Sequence, residues 1–279
     1  MDKALSQLPP LRDIINAHGL RAEKSLGQNF ILDQNLTDKI VRAAGQISDA
    51  HVFEIGPGPG GLTRSILRGG ANHLTALEYD PRAIEALKSL VDVAGEKLTL
   101  VQVDALTTDL TRYEPNLQRA IIANLPYNIA TPLLIKWLRQ IRETPSCYRS
   151  MTLMFQREVA ERIIAVPKSK AYGRLAVMAQ WLCEASIAFD VPPSAFVPPP
   201  KVTSSIVHLV PKALEGEVPD FKVMEEIVAA AFNQRRKMIR SSLKKFLPAI
   251  TKAGLDETLR AEDLSVNDYI LLAKAVQTS

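Results

Sequence analysis

Short apolar runs alternate with amphipathic stretches through the first two thirds of the chain. The runs have the length of buried strands, and they cover His51–Gly56, His73–Glu78, Leu98–Gln102, Arg119–Ala123 and Ser150–Phe155. Helical stretches follow three of them, at Gly60–Arg68, Pro81–Val91 and Pro132–Arg142. Repeated strand–helix units of this length predict a parallel α/β sheet with helices on both faces.

The pattern changes near Asp190. The proline-rich segment Val191–Pro200 predicts an extended or turning loop, and the alternation over Thr203–Val210 predicts one more strand. An acidic, turn-prone link follows, and the strand signals then stop. Helical patterns cover Val223–Phe246 and Val266–Val276. We therefore predict an α/β domain over 1–212 and a small helical domain over 213–279.

A glycine-rich loop, EIGPGPGG at 54–61, joins the first strand to its helix. Glycines allow positive φ and let a ligand approach the main chain, so we expect Gly56 and Gly58 to contact a cofactor. The bare pattern fits a dinucleotide-dependent dehydrogenase as well as an S-adenosylmethionine-dependent methyltransferase. Glu54 and the two prolines favour the methyltransferase, because proline removes N–H donors that a pyrophosphate cradle would use.

Acidic residues follow the next two strands. Glu78 ends the second strand and can accept hydrogen bonds from both hydroxyls of a ribose. Asp104 follows the third strand and can accept from the exocyclic amine of an adenine ring. Ligands bind at the carboxyl ends of the strands in such sheets, so we expect these side chains to converge.

The segment Asn124-Leu125-Pro126-Tyr127 follows the fourth strand and suits a nucleobase amine. Such an amine is a poor nucleophile because its lone pair is delocalised into the ring. The Asn124 side-chain oxygen and the Leu125 carbonyl could bind both of its N–H groups, while Pro126 fixes the turn. Tyr127 could stack on the base, with Phe196 of the proline-rich loop on the opposite face. Catalysis would then consist of orientation and electrostatic complementarity, with no strongly basic residue.

Five segments together resemble the small-subunit ribosomal RNA adenine dimethyltransferases, in the order expected for that family. They are KSLGQNFILD (24–33), EIGPGPGGLT (54–63), NLPYNIATPLL (124–134), AYGRLAV (171–177) and FVPPPKVTSS (196–205). The resemblance covers nearly the whole chain. It implies a Rossmann-like class I methyltransferase domain with a mixed, mostly parallel sheet, plus a small all-helical C-terminal domain. It also implies transfer of two methyl groups from S-adenosylmethionine to N6 of each of two adjacent adenosines, in a hairpin loop near the 3′ end of that RNA.

The resemblance also implies roles for single residues. Asn29 and Ile31 match the family's N-terminal cofactor contacts, although the family often has Leu at the second position. Gly56 matches the loop contact, and Glu78 and Asp104 match the ribose and adenine contacts. The remaining matches are Asn124, as both a cofactor contact and the target-amine acceptor, and Tyr127 with Phe196, as the base-stacking pair. The sequence departs from the family at Met238–Ser241, where the change could tune RNA contact.

A basic segment, FNQRRKMIRSSLKKF at 232–246, lies in the C-terminal region and contains no acid. As one continuous helix it would align Phe232, Ile239, Leu243 and Phe246 in an apolar stripe with cations along one flank. A cationic flank beside a docked apolar face is suited to phosphate. We predict RNA contacts from Arg235, Arg236, Lys237, Arg240 and Lys244.

Composition sets limits on this hypothesis. An apolar content of 47% with 23% charged residues excludes a disordered chain, and a net charge of +4 does not by itself indicate a polyanion partner. Cys147 and Cys183 cannot form a disulfide framework, and the histidines show no metal-ligand spacing, so we expect no metal. No signal-peptide pattern or long apolar run is present. We expect a cytoplasmic monomer that acts on an immature 30S particle and does not contact a membrane.

Three alternatives stay open at this point. A large-subunit rRNA methyltransferase of the resistance type shares the fold and the Asn-x-Pro-Tyr motif. The segments FNQRRK and PPPKVTSS favour the small-subunit enzyme. A non-catalytic assembly factor on the same scaffold would not need Glu78, Asp104, Asn124 and Tyr127. An NAD-dependent dehydrogenase would leave the NLPY segment unexplained.

Overall fold

A computed structural model describes residues 2–20, 29–113 and 118–278. The first half of the KSLGQNFILD segment, 24–28, lies outside these residues. The chain divides into two compact units, Met1–Lys136 with Ser146–Arg157 and Ser186–Val210, and Trp137–Pro145 with Glu158–Ala185 and Pro211–Ser279. Pro211–Ser279 begins next to the boundary predicted between 212 and 213. The other two segments of this unit, Trp137–Pro145 and Glu158–Ala185, lie within the predicted α/β domain.

A seven-stranded sheet is built mainly from the first unit, in the order β4-β3-β2-β5-β6-β9-β7. Its strands are β2 (Ala50–Ile55), β3 (His73–Glu78), β4 (Leu98–Gln102), β5 (Gln118–Ala123), β6 (Ser150–Gln156), β7 (Cys183–Val191) and β9 (Ser204–Pro211). The strands β2 to β6 pair in parallel, and β9 pairs antiparallel with β6. The prediction of a mixed, mostly parallel sheet is confirmed.

Every residue of β2 is buried, which is the pattern of a central strand covered on both faces. The two ends of the sheet differ in chemistry. At the amino end, the His51 ring stacks on Phe53 with 4.5 Å between centroids, and its Nε2 lies 2.8 Å from Thr75 Oγ1. At the carboxyl end, the strands lead into the loops that carry the predicted site.

Helices of the first unit begin where local chemistry caps them. They are α1 (Asp2–Ser6), α2 (Leu11–Ala17), α3 (Gln34–Ala43), α4 (Gly61–Arg68), α5 (Pro81–Ala86) and α6 (Lys88–Ala94). Asp33 and Asp80 cap α3 and α5 by accepting main-chain hydrogen bonds, and Pro81 occupies the first turn of α5. The single helix predicted over Pro81–Val91 is therefore wrong, because the chain breaks it at Leu87 into two helices.

Two further differences from the sequence prediction shape the site. Helix α7 runs from Tyr127 to Glu143 and contains Pro132, so it begins directly after the Asn-Leu-Pro turn. The proline-rich segment is not entirely loop, because β8 (Phe196–Val197) pairs antiparallel with β1 (Phe30–Ile31). This pairing joins the N-terminal segment that carries Asn29 to the segment that carries Phe196.

The second unit is helical apart from the first residues of β7. Besides the last turns of α7, its helices are α8 (Arg157–Ile163), α9 (Arg174–Leu182), α10 (Phe221–Asn233), α11 (Ile239–Ser242), α12 (Leu247–Lys252) and α13 (Val266–Gln277). Asp220 caps α10, and Ser265 forms a reciprocal capping box with Asp268 at the start of α13. None of the helices in the described ranges has the length and apolarity needed to cross a membrane.

The continuous basic helix predicted over 232–246 is wrong. Helix α10 ends at Asn233, and Met238 forms a β-bridge with Arg260 before the short helix α11 begins. The main-chain N–H groups of Ile239 and Arg240 donate to the carbonyls of Leu259 and Glu257. These hydrogen bonds replace the i−4 bonds of a helix, so partners distant in sequence overrule the local helical pattern.

Candidate active site

A cavity of about 250 Å³ lies at the carboxyl ends of β2, β3, β4 and β5. The strand ends and the N-terminal segment supply its wall, at Asn29–Ile31, Glu54–Pro59, Leu77–Asp80, Val103–Leu106 and Asn124–Ile129. The structure thus brings together ten of the residues selected from sequence: Asn29, Ile31, Gly56, Gly58, Glu78, Asp104, Asn124, Leu125, Pro126 and Tyr127. Parallel strands place the positions from Gly56 onward at one edge of the sheet, and the N-terminal segment adds Asn29 and Ile31.

The glycine loop is folded tightly against its neighbours. Gly58 has a φ of +53°, and a side chain there would place its Cβ 2.9 Å from the ring of Phe30. Its main-chain N–H donates to Glu78 Oε2 across 3.2 Å. Only glycine meets both the conformational and the steric requirement, and the loop can then bring its main chain next to a ligand.

Glu78 is held in one orientation by main-chain donors. Its side chain is buried, and Oε1 accepts hydrogen bonds from the N–H groups of Tyr79 and Asp80, each across 2.8 Å. Burial raises the pKa of Glu78, and these hydrogen bonds, with that from Gly58, oppose the shift. A carboxylate oxygen has two lone-pair sites, so Oε1 is fully used and Oε2 keeps one site that can accept from a ribose hydroxyl.

Asp104 lies in a turn that Lys136 holds in place. Asp104 Oδ1 accepts from the N–H of Leu106 across 2.8 Å. The Nζ of Lys136 donates to the carbonyls of Ala105 and Leu106, at 2.9 and 3.1 Å, and also to that of Thr108. Sequence reasoning missed Lys136, although a single cation in the apolar stretch PLLIKWL is a signal for such a role. Burial lowers the pKa of Lys136, while the carboxylates of Asp109 and Asp104 act in the opposite direction.

Asn124 is fixed through its amide nitrogen. Nδ2 donates to the main-chain carbonyl of Asn29 across 3.0 Å, which leaves the side-chain oxygen as an acceptor at the cavity wall. Tyr127 begins α7, and its hydroxyl lies 2.6 Å from Ser204 Oγ. Burial raises the pKa of Tyr127. The arrangement provides an amide oxygen and an aromatic ring next to each other.

Phe196 is placed apart from this wall. Its side chain is only 2% exposed and packs in the core of the first unit, in β8 opposite Ile31. The described wall of the cavity does not include it. Tyr127 and Phe196, the predicted stacking pair, therefore do not line the same cavity in this structure.

Two apolar residues at the cavity were missed. Tyr79 is 66% exposed and follows Glu78 directly, and Leu106 is 38% exposed and lies two residues after Asp104. Large apolar side chains this exposed next to polar groups are suited to the faces of an adenine ring. In the sequence, a large apolar residue follows each of these strand-end acids within two positions, and this pattern could have indicated both residues.

The predicted RNA-contact residues differ in their surroundings. Arg235 donates to Glu262 across 2.6 Å and to the carbonyls of Ser169 and Lys170. Arg240 lies 3.8 Å from Glu257. Arg236, Lys237 and Lys244 form no ion pair within the described residues. The segment 232–246 contains no acid, but acids from other parts of the chain partner some of its cations.

A doubly wound, mostly parallel sheet with a glycine loop and successive strand-end acids is the architecture of the class I S-adenosylmethionine-dependent methyltransferases, and dinucleotide-binding proteins share it. Residues 19–278 match the family described as ribosomal RNA adenine dimethylase. The chain is 53% identical to ribosomal RNA small subunit methyltransferase A of Bradyrhizobium sp. (strain ORS 278), across 99% of this chain and 97% of that protein. It is 51% identical to the protein of the same name from Mesorhizobium japonicum, across 98% and 100% of the two chains. The chain belongs to the ribosomal RNA adenine dimethylase family.

Solved structures agree with this assignment. A dimethyladenosine transferase from Plasmodium falciparum superimposes with a TM-score of 0.73 at 26% identity, over 89% of this chain and 98% of that chain. The 23S rRNA methyltransferase ErmE superimposes with a TM-score of 0.64 at 27% identity, over 89% and 100%. The protein is an S-adenosylmethionine-dependent methyltransferase. Within the described residues, no group of three or more His, Cys, Asp or Glu side chains could hold a metal ion.

Proposed function

We propose that this protein dimethylates N6 of two adjacent adenosines in a hairpin loop near the 3′ end of small-subunit ribosomal RNA. The observation that carries the proposal is the position of Asn124. Its amide is fixed by Asn29 in the same cavity that holds Glu78 and Asp104. The cofactor that donates the methyl group and the side chain that accepts a hydrogen bond from the target amine would therefore lie in the same cavity.

The residues present fit the cofactor. Asp104 would accept from the adenine amine and Glu78 from a ribose hydroxyl, with Gly56, Gly58 and the Asn29–Ile31 segment against the rest of the molecule. The buried Oε2 of Glu54 has no hydrogen-bond partner among the described residues, which is the pattern expected of a group that binds a ligand. When bound, S-adenosylmethionine supplies an electrophilic methyl group on a sulfonium.

The chain's own residues would prepare the acceptor amine. The Asn124 side-chain oxygen and the Leu125 carbonyl would each accept one N–H of the adenosine N6, which favours a pyramidal nitrogen with its lone pair free. Pro126 fixes the turn, and the Tyr127 ring would stack on the base. The amine becomes acidic once it is methylated and loses its proton without a strong base. The catalytic contribution is then orientation and preorganised acceptors.

Phe196 is the second stacking residue by resemblance to the family. Because its side chain is buried in this structure, contact with the base would require the ring to leave the core when RNA binds. Phe196→Leu should therefore weaken transfer by more than it weakens cofactor binding. Equal effects on both would assign Phe196 to packing alone.

RNA binding by the second unit would depend on its exposed cations. Arg236, Lys237 and Lys244 can reach phosphate without first breaking an ion pair within the described residues. Arg235 and Arg240 share their charge with Glu262 and Glu257. We assign the catalytic chemistry to 1–212 and part of the RNA binding to 213–279, with an immature 30S particle in the cytoplasm as substrate and a monomer as the working form.

The large-subunit alternative differs in its RNA and not in its chemistry. Support for the small-subunit RNA comes from curated relatives at about 50% identity that carry that name, against 27% for ErmE. The test supplies labelled S-adenosylmethionine with under-methylated 30S particles and with 50S particles lacking the corresponding modification. Mapping should place two methyl groups on each of two adjacent adenosines of the 30S particle. Label on the 50S particle alone would establish the alternative, and cofactor binding without transfer would favour an assembly factor.

A further inference from the structure

Ser204 places a buried hydroxyl at the edge of the sheet where the cavity lies. It is the first residue of β9, and it is paired with Gln156, the last residue of β6. Because β9 runs antiparallel to β6, the start of β9 lies at the edge where the parallel strands end. The side chain is completely buried, so its hydroxyl needs a hydrogen-bond partner inside the protein.

The partner of this hydroxyl is the phenol of Tyr127. The two oxygens are 2.6 Å apart, and among the described residues the Ser204 side chain makes no other hydrogen bond. Most side-chain hydrogen bonds in proteins go to the main chain or to water. This bond instead joins two side chains that are 77 positions apart in the sequence. It holds the Tyr127 ring at its outer end, while the first turn of α7 holds the Cα.

Ser205, the next residue, makes a different contact. Successive side chains of a strand point to opposite faces, and Ser205 Oγ donates to Asp190 Oδ1 of β7 across 2.6 Å. Asp190 Oδ2 lies 3.1 Å from Arg157 Nη1. The main-chain N–H of Arg157 donates to the carbonyl of Thr203 across 2.9 Å. These contacts fix the start of β9 without the hydroxyl of Ser204.

The orientation of the Tyr127 ring matters because the ring belongs to the same cavity wall as Asn124. An aromatic ring stacks on a base only if it presents a face to it, and the χ2 torsion of tyrosine is broad when nothing holds the ring. A hydrogen bond to the hydroxyl fixes this torsion before the base arrives. The cost of ordering the ring is then not charged against base binding or methyl transfer.

We propose that Ser204 is a positioning residue for methyl transfer. Its hydroxyl holds the Tyr127 ring in the orientation that stacks on the target adenine, and the stacked base then brings N6 to the Asn124 oxygen. This inference rests on the proposed function, which makes Tyr127 the stacking partner of the base. Ser204 is not part of the described cavity wall, so it acts through Tyr127 and not by touching the substrate.

Single-turnover methyl transfer by the full chain to under-methylated 30S particles, at saturating S-adenosylmethionine, tests the proposal. Ser204→Ala and Tyr127→Phe each remove one partner of the hydrogen bond and keep the aromatic ring. Each should lower the rate constant about tenfold, the upper end of what one hydrogen bond contributes. The double variant should be no slower than either single variant, because the same interaction is lost only once. The calorimetric Kd for S-adenosylmethionine should stay at the wild-type value in all three.

Ser205→Ala is the matched control. The residue is the immediate neighbour of Ser204, is equally buried and also loses a side-chain hydrogen bond, but it does not contact Tyr127. Its transfer rate should equal that of the wild type. Ser204→Thr keeps a hydroxyl at the same position and should retain most of the rate.

The melting temperature separates positioning from general stability. Each single variant leaves one hydroxyl without its partner, whereas the double variant removes both, so its stability should recover towards the wild-type value. The transfer rate should not recover with it, because the ring is still free to turn. A residue that served packing alone would give rates that follow the melting temperature through the series.

Several results would overturn the proposal and leave the proposed function standing. They are a wild-type rate in Ser204→Ala, recovery of the rate in the double variant, and an equal loss of rate in Ser205→Ala. If Ser204→Ala fails to fold, Tyr127→Phe decides alone, because a wild-type rate in that variant would show that the hydrogen bond does not position the ring. Absence of adenine methylation by the wild type would overturn the proposal together with the proposed function.

Discussion

The side-chain amide of Asn124 donates a hydrogen bond to the main-chain carbonyl of Asn29, with 3.0 Å between nitrogen and oxygen. The bond joins the end of β5 to the residue that precedes β1, and it fixes which atom of the amide serves as an acceptor. An amide that could rotate freely would present a donor to the substrate amine half of the time. The bond therefore links the cofactor segment to the orientation of the acceptor.

Asn124→Ala should abolish most methyl transfer. Loss of one preorganised hydrogen-bonding group at a reacting centre costs about 10²–10³-fold in rate. Single-turnover transfer to under-methylated 30S particles measures the effect, and calorimetry measures cofactor affinity separately. Asn72→Ala, an exposed asparagine before β3, is the matched control and should behave as wild type. Undiminished transfer by Asn124→Ala would remove this residue from the mechanism.

Lys136→Met should loosen the turn that carries Asp104. Three main-chain carbonyls would be deprived of a charged donor, and we expect about a tenfold weaker affinity for S-adenosylmethionine. Hydrogen exchange at 104–108 should rise in parallel, and Lys136→Arg should restore part of both. Lys97→Met is the control, because its exposed Nζ donates to one carbonyl, that of Asn72. If the melting temperature falls while affinity and exchange stay unchanged, Lys136 serves only general stability.

Neutralising Arg236, Lys237 and Lys244 to Gln should weaken RNA binding and reduce its salt dependence. For each phosphate that the variant no longer neutralises, the slope of log K against log salt should become shallower by about 0.7–0.9. Cofactor affinity should not change. The control neutralises cations of the first unit, Arg42, Lys88 and Arg112, and should leave the slope as in wild type. A triple variant with the wild-type slope would exclude these residues from the RNA interface.

The buried histidine His51 should make the protein less stable in acid. Burial lowers the pKa of His51 to about 4, with His73 and Arg119 adding to the shift. The unfolded chain would titrate near pH 6.5, so between about pH 6.5 and 4 the unfolded state binds a proton that the folded state does not. Stability contributed by neutral His51 is therefore present above this window and falls across it, by up to about 3 kcal/mol.

Urea denaturation at a series of pH values checks this sign. His51→Gln keeps a group that can hydrogen-bond Thr75 and should show a smaller fall in stability between neutral pH and about pH 4.5. The exposed His18→Gln should retain the wild-type fall. A His51→Gln profile parallel to wild type would show that other groups cause the acid sensitivity.

The sequence predicts most of the cavity because parallel strands share one geometry. Glu78 and Asp104 end neighbouring strands, so their convergence follows from the strand pattern alone. The burial of Phe196 does not follow in this way. It depends on the pairing of β8 with β1, which joins segments far apart in sequence.

The structure of the basic segment 232–246 also depends on contacts with residues that are distant in sequence. Its composition and helical spacing are local properties, whereas its break depends on hydrogen bonds from Ile239 and Arg240 to the distant segment 257–260. The acids that pair with Arg235 and Arg240 are equally distant. Local patterns can therefore locate the cations but cannot indicate which of them are paired with acids.

The most direct test of the central claim maps methyl groups on under-methylated 30S particles after incubation with labelled S-adenosylmethionine. The account predicts dimethylation at N6 of two adjacent adenosines in a hairpin loop near the 3′ end of the small-subunit RNA, and its loss in Asn124→Ala. Methylation at a different base or atom, or the same pattern in Asn124→Ala, would contradict it.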